Sequence, residues 1–402
     1  MQIKSAELRI LCGDPEHADE AGPMPIFSSL VCTFLNELSF LLLHDAEAKK
    51  YPAVITYAFF CRKANIVKIK ERYAEDAEKR IGRGLVFHIA PGNVPVNFAY
   101  SLTAGLLAGN ACIVKASSKD FRETCIISEK MNSLLGKADY NILAPYVSVV
   151  MYPKEEQTLT ERLSEACSVR VIWGGDNTIK MIRRSPLRAR AFEITFADRY
   201  SVCVINAAEL IRYSSASGLK QLAEDFYNDT YLYDCNACST PSLIYWIGSE
   251  DDVNVAQNRF WSSVYENIEG RYEVAPVIAV DKYTMACKAA IDLNGEIVFA
   301  DDNRIVRIKL ERLSDNISDY RSAGGLFIEY ADQNMDALMT VVNEKYQTLS
   351  YFGMNPDEIR TYLISRRVKG IDRIVSIGKT ADFGFIWDGY DLIQTMSRIV
   401  NI

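Results

Sequence analysis

The segment Asp234-Cys235-Asn236-Ala237-Cys238-Ser239-Thr240-Pro241 holds two thiols three residues apart, between a helix-like stretch and a strand-like run. That spacing suits a metal or a redox pair. No second pair accompanies it, and with only His17, His44 and His88 in the chain four zinc ligands are hard to assemble. A redox pair normally follows a strand and opens a helix, the reverse of the order here. A nucleophilic thiol remains, reactive as the thiolate through local dipoles. On spacing alone a buried structural cysteine is the safer reading. Three further segments have residue types suited to binding. Ala90-Pro91-Gly92-Asn93-Val94-Pro95 follows an apolar run and precedes a helical one, which sets Asn93 near a strand's carboxyl end, as a polar site group or simply a helix cap. Trp173-Gly174-Gly175-Asp176 could bring backbone N–H groups up to an anion such as a pyrophosphate, or be an ordinary turn capped by Asp176. Lys115-Ala116-Ser117-Ser118-Lys119 could clasp an adenosine ribose or its phosphate, or cap a strand in solvent. No G-x-G-x-x-G stands in the right context, because Gly82-Arg83-Gly84 precedes its strand.

The elements that must position these segments are legible between Gly84 and Asn206. Short Val- and Ile-rich runs (Leu85–Ala90, Cys112–Lys115, Tyr146–Tyr152, Val169–Trp173, Ser201–Ile205) read as buried parallel strands. Helical patterns lie between them at Val96–Leu107, Phe121–Leu135 and Lys154–Ala166. Such alternation specifies a parallel sheet with helices on both faces and ligands at the strands' carboxyl ends. After Asn206 a helix is expected over Ser217–Tyr231 and another over Asn334–Glu344. Strands are expected at Leu243–Ile247, Ile305–Leu310, Leu326–Tyr330, Thr348–Tyr351 and Arg373–Ile377, with a closing helix after Gly389. Before Gly84 the chain reads mainly helical, with a charged, solvated stretch at Lys63–Arg80.

Composition narrows the partners. The 402 residues include 45 Lys+Arg and 52 Asp+Glu, a formal charge of −7, and 49% are apolar. An acidic balance without a sustained basic run argues against a nucleic-acid groove. The longest apolar stretch, Phe27–Leu43, is interrupted by Asn36 and Glu37 and falls short of the about 18–20 residues of a membrane span. Met1–Gly22 lacks the order of a secretory signal. Ten cysteines without a framework spacing suggest a reducing cytoplasm.

Taken together and in order, these segments resemble the aldehyde dehydrogenase superfamily, and within it the LuxC-type acyl-CoA reductases. The likeness runs through Gly84–Lys119, Val171–Arg183 (VIWGGDNTIKMIR), Phe196–Ile205 (FADRYSVCVI), Asn236–Pro241 (NACSTP), Lys345–Gly353 (KYQTLSYFG) and Trp387–Arg398. It implies an α/β, aldehyde dehydrogenase-like fold of two doubly wound domains with the active site at their interface. Residues 1–204 would bind the cofactor, with 1–80 a mainly helical lead-in; 205–370 would carry the nucleophile; 371–402 would serve packing or oligomer contacts. Cys238 matches the nucleophilic cysteine and Asn93 the oxyanion asparagine. Lys115 and Ser117 match positions that hold the adenosine ribose, and Gly174 and Gly175 the turn beside the pyrophosphate.

Two departures from the superfamily pattern bear on chemistry. Aldehyde-oxidising members carry a glutamate that activates water; here Thr195 stands at that position, with Glu193 two residues away. A thioester would then survive to meet hydride. Relatives that prefer NAD often have Glu where Ser118 stands, so Ser118, with Lys119 nearby, favours NADPH over NADH. The resemblance therefore implies reduction of an acyl-CoA or acyl-protein thioester to an aldehyde, without a metal, by a homo-oligomer. An ATP-dependent acyl-protein synthetase would be a partner. The alternatives are a reductase of another activated acyl group, such as an acyl phosphate, and a non-reducing acyl-carrier subunit.

Overall fold

A computed structural model describes residues 7–213, 215–300 and 302–401. The chain divides into two compact units, one formed by residues up to Ala197 plus the segment from Phe385 onward, the other by Asp198–Gly384.

The first unit is built on a six-stranded sheet. In spatial order the strands are Arg9–Cys12, Val147–Met151, Ala111–Lys115, Leu85–Ile89, Val169–Trp173 and Phe192–Phe196. Arg9–Cys12 is antiparallel to its neighbour and every other pair is parallel. Both Leu85–Ile89 and Val169–Trp173 are buried at all five positions, as strands covered on both faces must be. Strand order reverses at Leu85–Ile89, whose chain successor lies on one side and Val169–Trp173 on the other. That is the switch point at which doubly wound sheets open a crevice. Helices Asn97–Leu107, Arg122–Leu135 and Gln157–Ala166 supply the crossovers. The last turns Leu159, Thr160, Leu163 and Ser164 inward, a helical stripe over a polar outer face.

The helical lead-in behaves as its composition demands. Ser29–His44 buries one face, and Lys63–Glu71 buries Ile66 alone. The segment from Phe385 returns to this unit. Ser397–Ile399 pairs with Arg80–Gly82, Arg83 Nε donates to the Thr395 carbonyl at 2.9 Å, and Asn110 Nδ2 donates to that of Met396 at 3.0 Å. Glycine is obligatory at this seam, since a Cβ on Gly82 would lie 2.1 Å from the Gly109 carbonyl oxygen.

The second unit is a seven-stranded sheet. Its order is Glu296–Phe299, Val306–Lys309, Leu326–Asp332, Pro241–Ile247, Tyr200–Asn206, Tyr346–Phe352 and Arg373–Ser376, with the first pair alone antiparallel. Residues alternate between two cores. Val202, Val204, Leu243 and Tyr245 face one; Cys203, Ile205, Ile244 and Trp246 face the other, against Phe226, Phe260 and Trp261. The run Ser201–Ile205, read above with the first group of strands, belongs to this sheet. Its apolarity marks it as buried, but its partners, Pro241–Ile247 and Tyr346–Phe352, are fixed by long-range register.

Helix Ala216–Asp229 ends on a buried carboxylate that accepts from the backbone N–H groups of Gly378 (2.7 Å) and Thr380 (2.9 Å). Burial pushes Asp229 up to about 6, against the opposing pull of those hydrogen bonds. An unfolded aspartate titrates near ~3.9, so the folded state binds more protons between pH 4 and 6. Stability is therefore expected to fall as pH rises through that window, by on the order of 3 kcal/mol from this group. Asp229→Asn should flatten that part of the melting-temperature profile; curves for the two proteins that stay parallel from pH 4 to 8 would refute the assignment.

Candidate active site

Three sequence-predicted segments meet along one edge of the first sheet. Asn93 follows Leu85–Ile89, Ser117 and Ser118 follow Ala111–Lys115, and Gly174 and Gly175 follow Val169–Trp173; these strands are spatial neighbours, and all three loops lie at their carboxyl ends. Asn93, Gly175, Ser118 and Lys119 are exposed there. The Lys115 ammonium sits 4.8 Å from the centre of the Tyr152 ring, and burial lowers its pKa. Ser117 Oγ accepts from the Lys119 backbone N–H at 3.2 Å, which rounds the turn. A Cβ on Gly175 would meet no atom within 4 Å, so the protein's own packing does not require glycine there. The open edge has room for an approaching phosphate.

Beneath this edge the packing is closed. Trp173 stacks on Phe196 at 3.7 Å and its Nε1 donates to Ser101 Oγ at 2.9 Å. His88 Nδ1 lies 2.8 Å from the same oxygen. Burial drives His88 down to about 3, so its imidazole is neutral and sealed in the core.

Where the resemblance to aldehyde-oxidising enzymes looks for a water-activating carboxylate, the chain has Glu193 and Thr195. On strand Phe192–Phe196, Glu193 is held from both sides, by Arg170 Nη2 at 2.6 Å and Arg183 Nε at 2.7 Å. Arg170 is itself buried, so releasing Glu193 would strand a buried guanidinium, a cost of several kcal/mol (about 3–5). Thr195 has only a hydroxyl, which cannot serve as a base near neutral pH.

In the second unit, Cys238 lies on the tight loop that enters strand Pro241–Ile247. Asp234 and Cys235 both adopt left-handed backbone (φ +53° and +55°), reversing the chain after the short turn Tyr231–Tyr233. The two thiols of the pair differ. Cys235 is 2% exposed and burial pushes it up to about 12, whereas Cys238 is half-exposed. Burial likewise raises Cys12, Cys61, Cys167 and Cys203 to about 12. A sealed thiol at such a value is inert at neutral pH.

Three residues that sequence reasoning passed over fix this loop. Arg321 Nη2 donates to the carbonyls of Asn236 (2.7 Å) and Ala237 (2.9 Å), and its Nη1 to that of Arg199 (3.1 Å). Ser201 Oγ donates to the Cys238 carbonyl at 2.8 Å. Gln347 Nε2 donates to Cys238 Sγ at 3.6 Å. Three successive carbonyls are thus tied off by two side chains. Asp234 is anchored as well, its carbonyl by the Gly324 N–H at 3.1 Å and its carboxylate by the Tyr272 hydroxyl. Among the described residues, no group of three or more His, Cys, Asp or Glu could hold a metal, and no helix is long and apolar enough to cross a membrane.

The model of the acyl-CoA reductase (LuxC) family matches residues 63–399. The chain belongs to the acyl-CoA reductase (LuxC) family. Among curated proteins similar to this LuxC-family chain is the long-chain acyl-protein thioester reductase of Aliivibrio fischeri, 30% identical over 169 residues, 41% of this chain and 32% of that protein. The one from Photorhabdus laumondii subsp. laumondii is 24% identical over 336 residues, 80% of this chain and 64% of that protein. The chain thus spans less than two thirds of the length of these relatives. The fold of this LuxC-family chain is that of the aldehyde dehydrogenases. Aldehyde dehydrogenase 21 from Physcomitrella patens superposes with a TM-score of 0.67 at 10% identity, covering 96% of this chain and 88% of that one. The NAD-dependent aldehyde dehydrogenase from Sinorhizobium meliloti gives 0.65 at 13%, covering 90% and 78%.

Proposed function

We propose that this protein reduces an activated acyl thioester, carried on coenzyme A or on a protein, to an aldehyde through a covalent thioester on Cys238. The observation that carries the reading is the contrast within the second unit: Cys238 is half-exposed and held by its sulfur, while its neighbour Cys235 is sealed. The names of the LuxC-family relatives favour an acyl-protein donor. None of the described cysteines is paired in a disulfide, which suits a reducing cytoplasm.

In this reading the Cys238 thiolate attacks the acyl carbonyl carbon and expels the donor thiolate. Asn93 Nδ2 donates to the carbonyl oxygen as it gains charge. A nicotinamide cofactor, when bound, supplies the hydride that reduces the acyl carbon. Collapse of the resulting tetrahedral thiohemiacetal breaks the C–S bond, frees the aldehyde and returns the electron pair to sulfur. With Glu193 locked by two arginines, water has no base from this strand to compete with hydride. The open ground at Gly175 fits a pyrophosphate, and Lys115 and Ser117 are assigned to the adenosine ribose.

NADPH is the assigned cofactor because Ser118 and Lys119 are exposed and would accept a 2′-phosphate that a carboxylate would repel. Ser118→Glu is expected to weaken NADPH use by about tenfold or more while sparing NADH, one like-charge contact costing ~1–2 kcal/mol. The ratio of kcat/KM values for the two cofactors measures it, and an unchanged ratio would overturn the assignment. The reading as a whole is tested by following NADPH absorbance with a panel of acyl-CoAs and acyl-proteins while assaying aldehyde. Aldehyde formed at the expense of NADPH supports it. A Cys238 acyl adduct that consumes neither NADPH nor NADH would instead identify an acyl carrier.

A further inference from the structure

Gln347 has no part in the acyl chemistry outlined so far, yet it touches the sulfur. Its side chain is 1% exposed and sits near the start of strand Tyr346–Phe352, beside Tyr200–Asn206. The orientation of its amide is set by a closed ring of hydrogen bonds. Thr348 Oγ1 donates to Gln347 Oε1 at 3.3 Å, which turns the NH2 end toward Cys238 Sγ at 3.6 Å. The Thr348 N–H donates to Ser201 Oγ at 3.3 Å, and Ser201 Oγ donates to the Cys238 carbonyl at 2.8 Å. The ring therefore begins and ends on the cysteine, gripping its sulfur at one end and its backbone at the other.

An amide donor in this place has a definite electrostatic effect. It is neutral, so it buries at modest cost, and it has no basic site with which to remove the thiol proton. It bonds a charged sulfur more strongly than a neutral one, since a hydrogen bond to an ionised acceptor is roughly twice as strong. All three histidines lie at or before position 88, so residues 198–384 supply none to form an imidazolium–thiolate pair.

We propose that Gln347 is a catalytic residue, the hydrogen-bond donor that holds the Cys238 thiolate. It acts twice. When the S–H bond breaks, the proton passes to water and sulfur keeps the electron pair under the amide. When the thiohemiacetal collapses, the C–S pair returns to sulfur, the oxygen forms the aldehyde C=O, and the same amide receives the leaving thiolate. The inference rests on the reading of Cys238 as nucleophile.

The test is the rate of Cys238 alkylation by iodoacetamide as a function of pH in the full chain, with the modified residue located by peptide mass and folding checked by circular dichroism melts. In Gln347→Leu the midpoint of the rate–pH curve should rise by about one to two units, with alkylation at pH 7 falling roughly 10- to 100-fold. Gln347→Glu should move it at least as far, because a carboxylate beside sulfur opposes the thiolate. A purely packing role would lower the melting temperature and leave the midpoint in place. If Gln347→Leu does not fold, Gln347→Asn, whose amide is one methylene short, serves instead: a raised midpoint supports the proposal. An unmoved midpoint in the folded variants, or alkylation that maps to another cysteine, overturns it. The assay contains no acyl donor and no nicotinamide. A failure there counts against Gln347 alone, whereas a wild type that forms no aldehyde counts against the reductase reading.

Discussion

If Cys238 holds the acyl group as proposed, Cys238→Ala is expected to abolish aldehyde formation, with kcat/KM down by on the order of 10⁴-fold or more. The fold should tolerate the change. The side chain is half-exposed, and the loop is anchored through its carbonyls by Arg321 and Ser201 rather than through the sulfur. The loss to stability includes the weak hydrogen bond from Gln347, about 1 kcal/mol. A melt close to that of the wild type, together with no acyl adduct by mass spectrometry, would assign the loss to chemistry. Retention of substantial activity in a well-folded Cys238→Ala protein would remove the covalent mechanism. Cys235→Ala offers the contrast: its thiol is buried, so the variant should lose stability and keep the capacity to form the adduct on Cys238.

The second large effect concerns Asn93. If its amide donates to the oxyanion, Asn93→Ala should lower kcat by roughly 10²- to 10³-fold, the ~3–4 kcal/mol associated with one such donor, with KM changed little. Asn93→Asp should be at least as poor, since a carboxylate would face the developing negative charge. Both variants should melt as the wild type does, because Asn93 is exposed on a loop between Leu85–Ile89 and Asn97–Leu107. Steady-state kinetics over a range of acyl donor separates the outcomes. A variant with unchanged kcat and a raised KM would make Asn93 a binding residue and leave the oxyanion without its assigned side-chain donor.

The parallel core of the first unit was legible because strands covered on both faces are written as unbroken apolar runs. Leu85–Ile89 and Val169–Trp173 announce themselves in this way. Phe192–Phe196 does not: Phe-Glu-Ile-Thr-Phe alternates, as suits a strand at the sheet's edge, and its Glu193 meets Arg170 and Arg183. Helix Glu250–Ile268 was passed over although Ser249 caps it, accepting from the Asp252 N–H at 3.2 Å, with three acids in its first turn. The supports of the cysteine loop differ in kind. A glutamine in a strand, an arginine in a loop and a serine at a strand's start have no local pattern pointing to Cys238. Gln347 is 109 positions from it and Arg321 more than 80, so only the folded register brings them together.

The return of the chain to its first unit has a consequence for the order in which the molecule can be finished. Residues 79–83 and 110 leave main-chain and side-chain hydrogen bonds to be completed by residues 394–400, more than 280 positions later. The whole of Asp198–Gly384 lies between. During synthesis from the amino terminus, every strand of the seven-stranded sheet is therefore made before the last pairing of the six-stranded unit becomes available. Until then the hydrogen bonds that Asn110, Arg80 and Arg83 make to residues 394–397, and the edge at Arg80–Gly82, are left to water. The unit begun first is the one completed last.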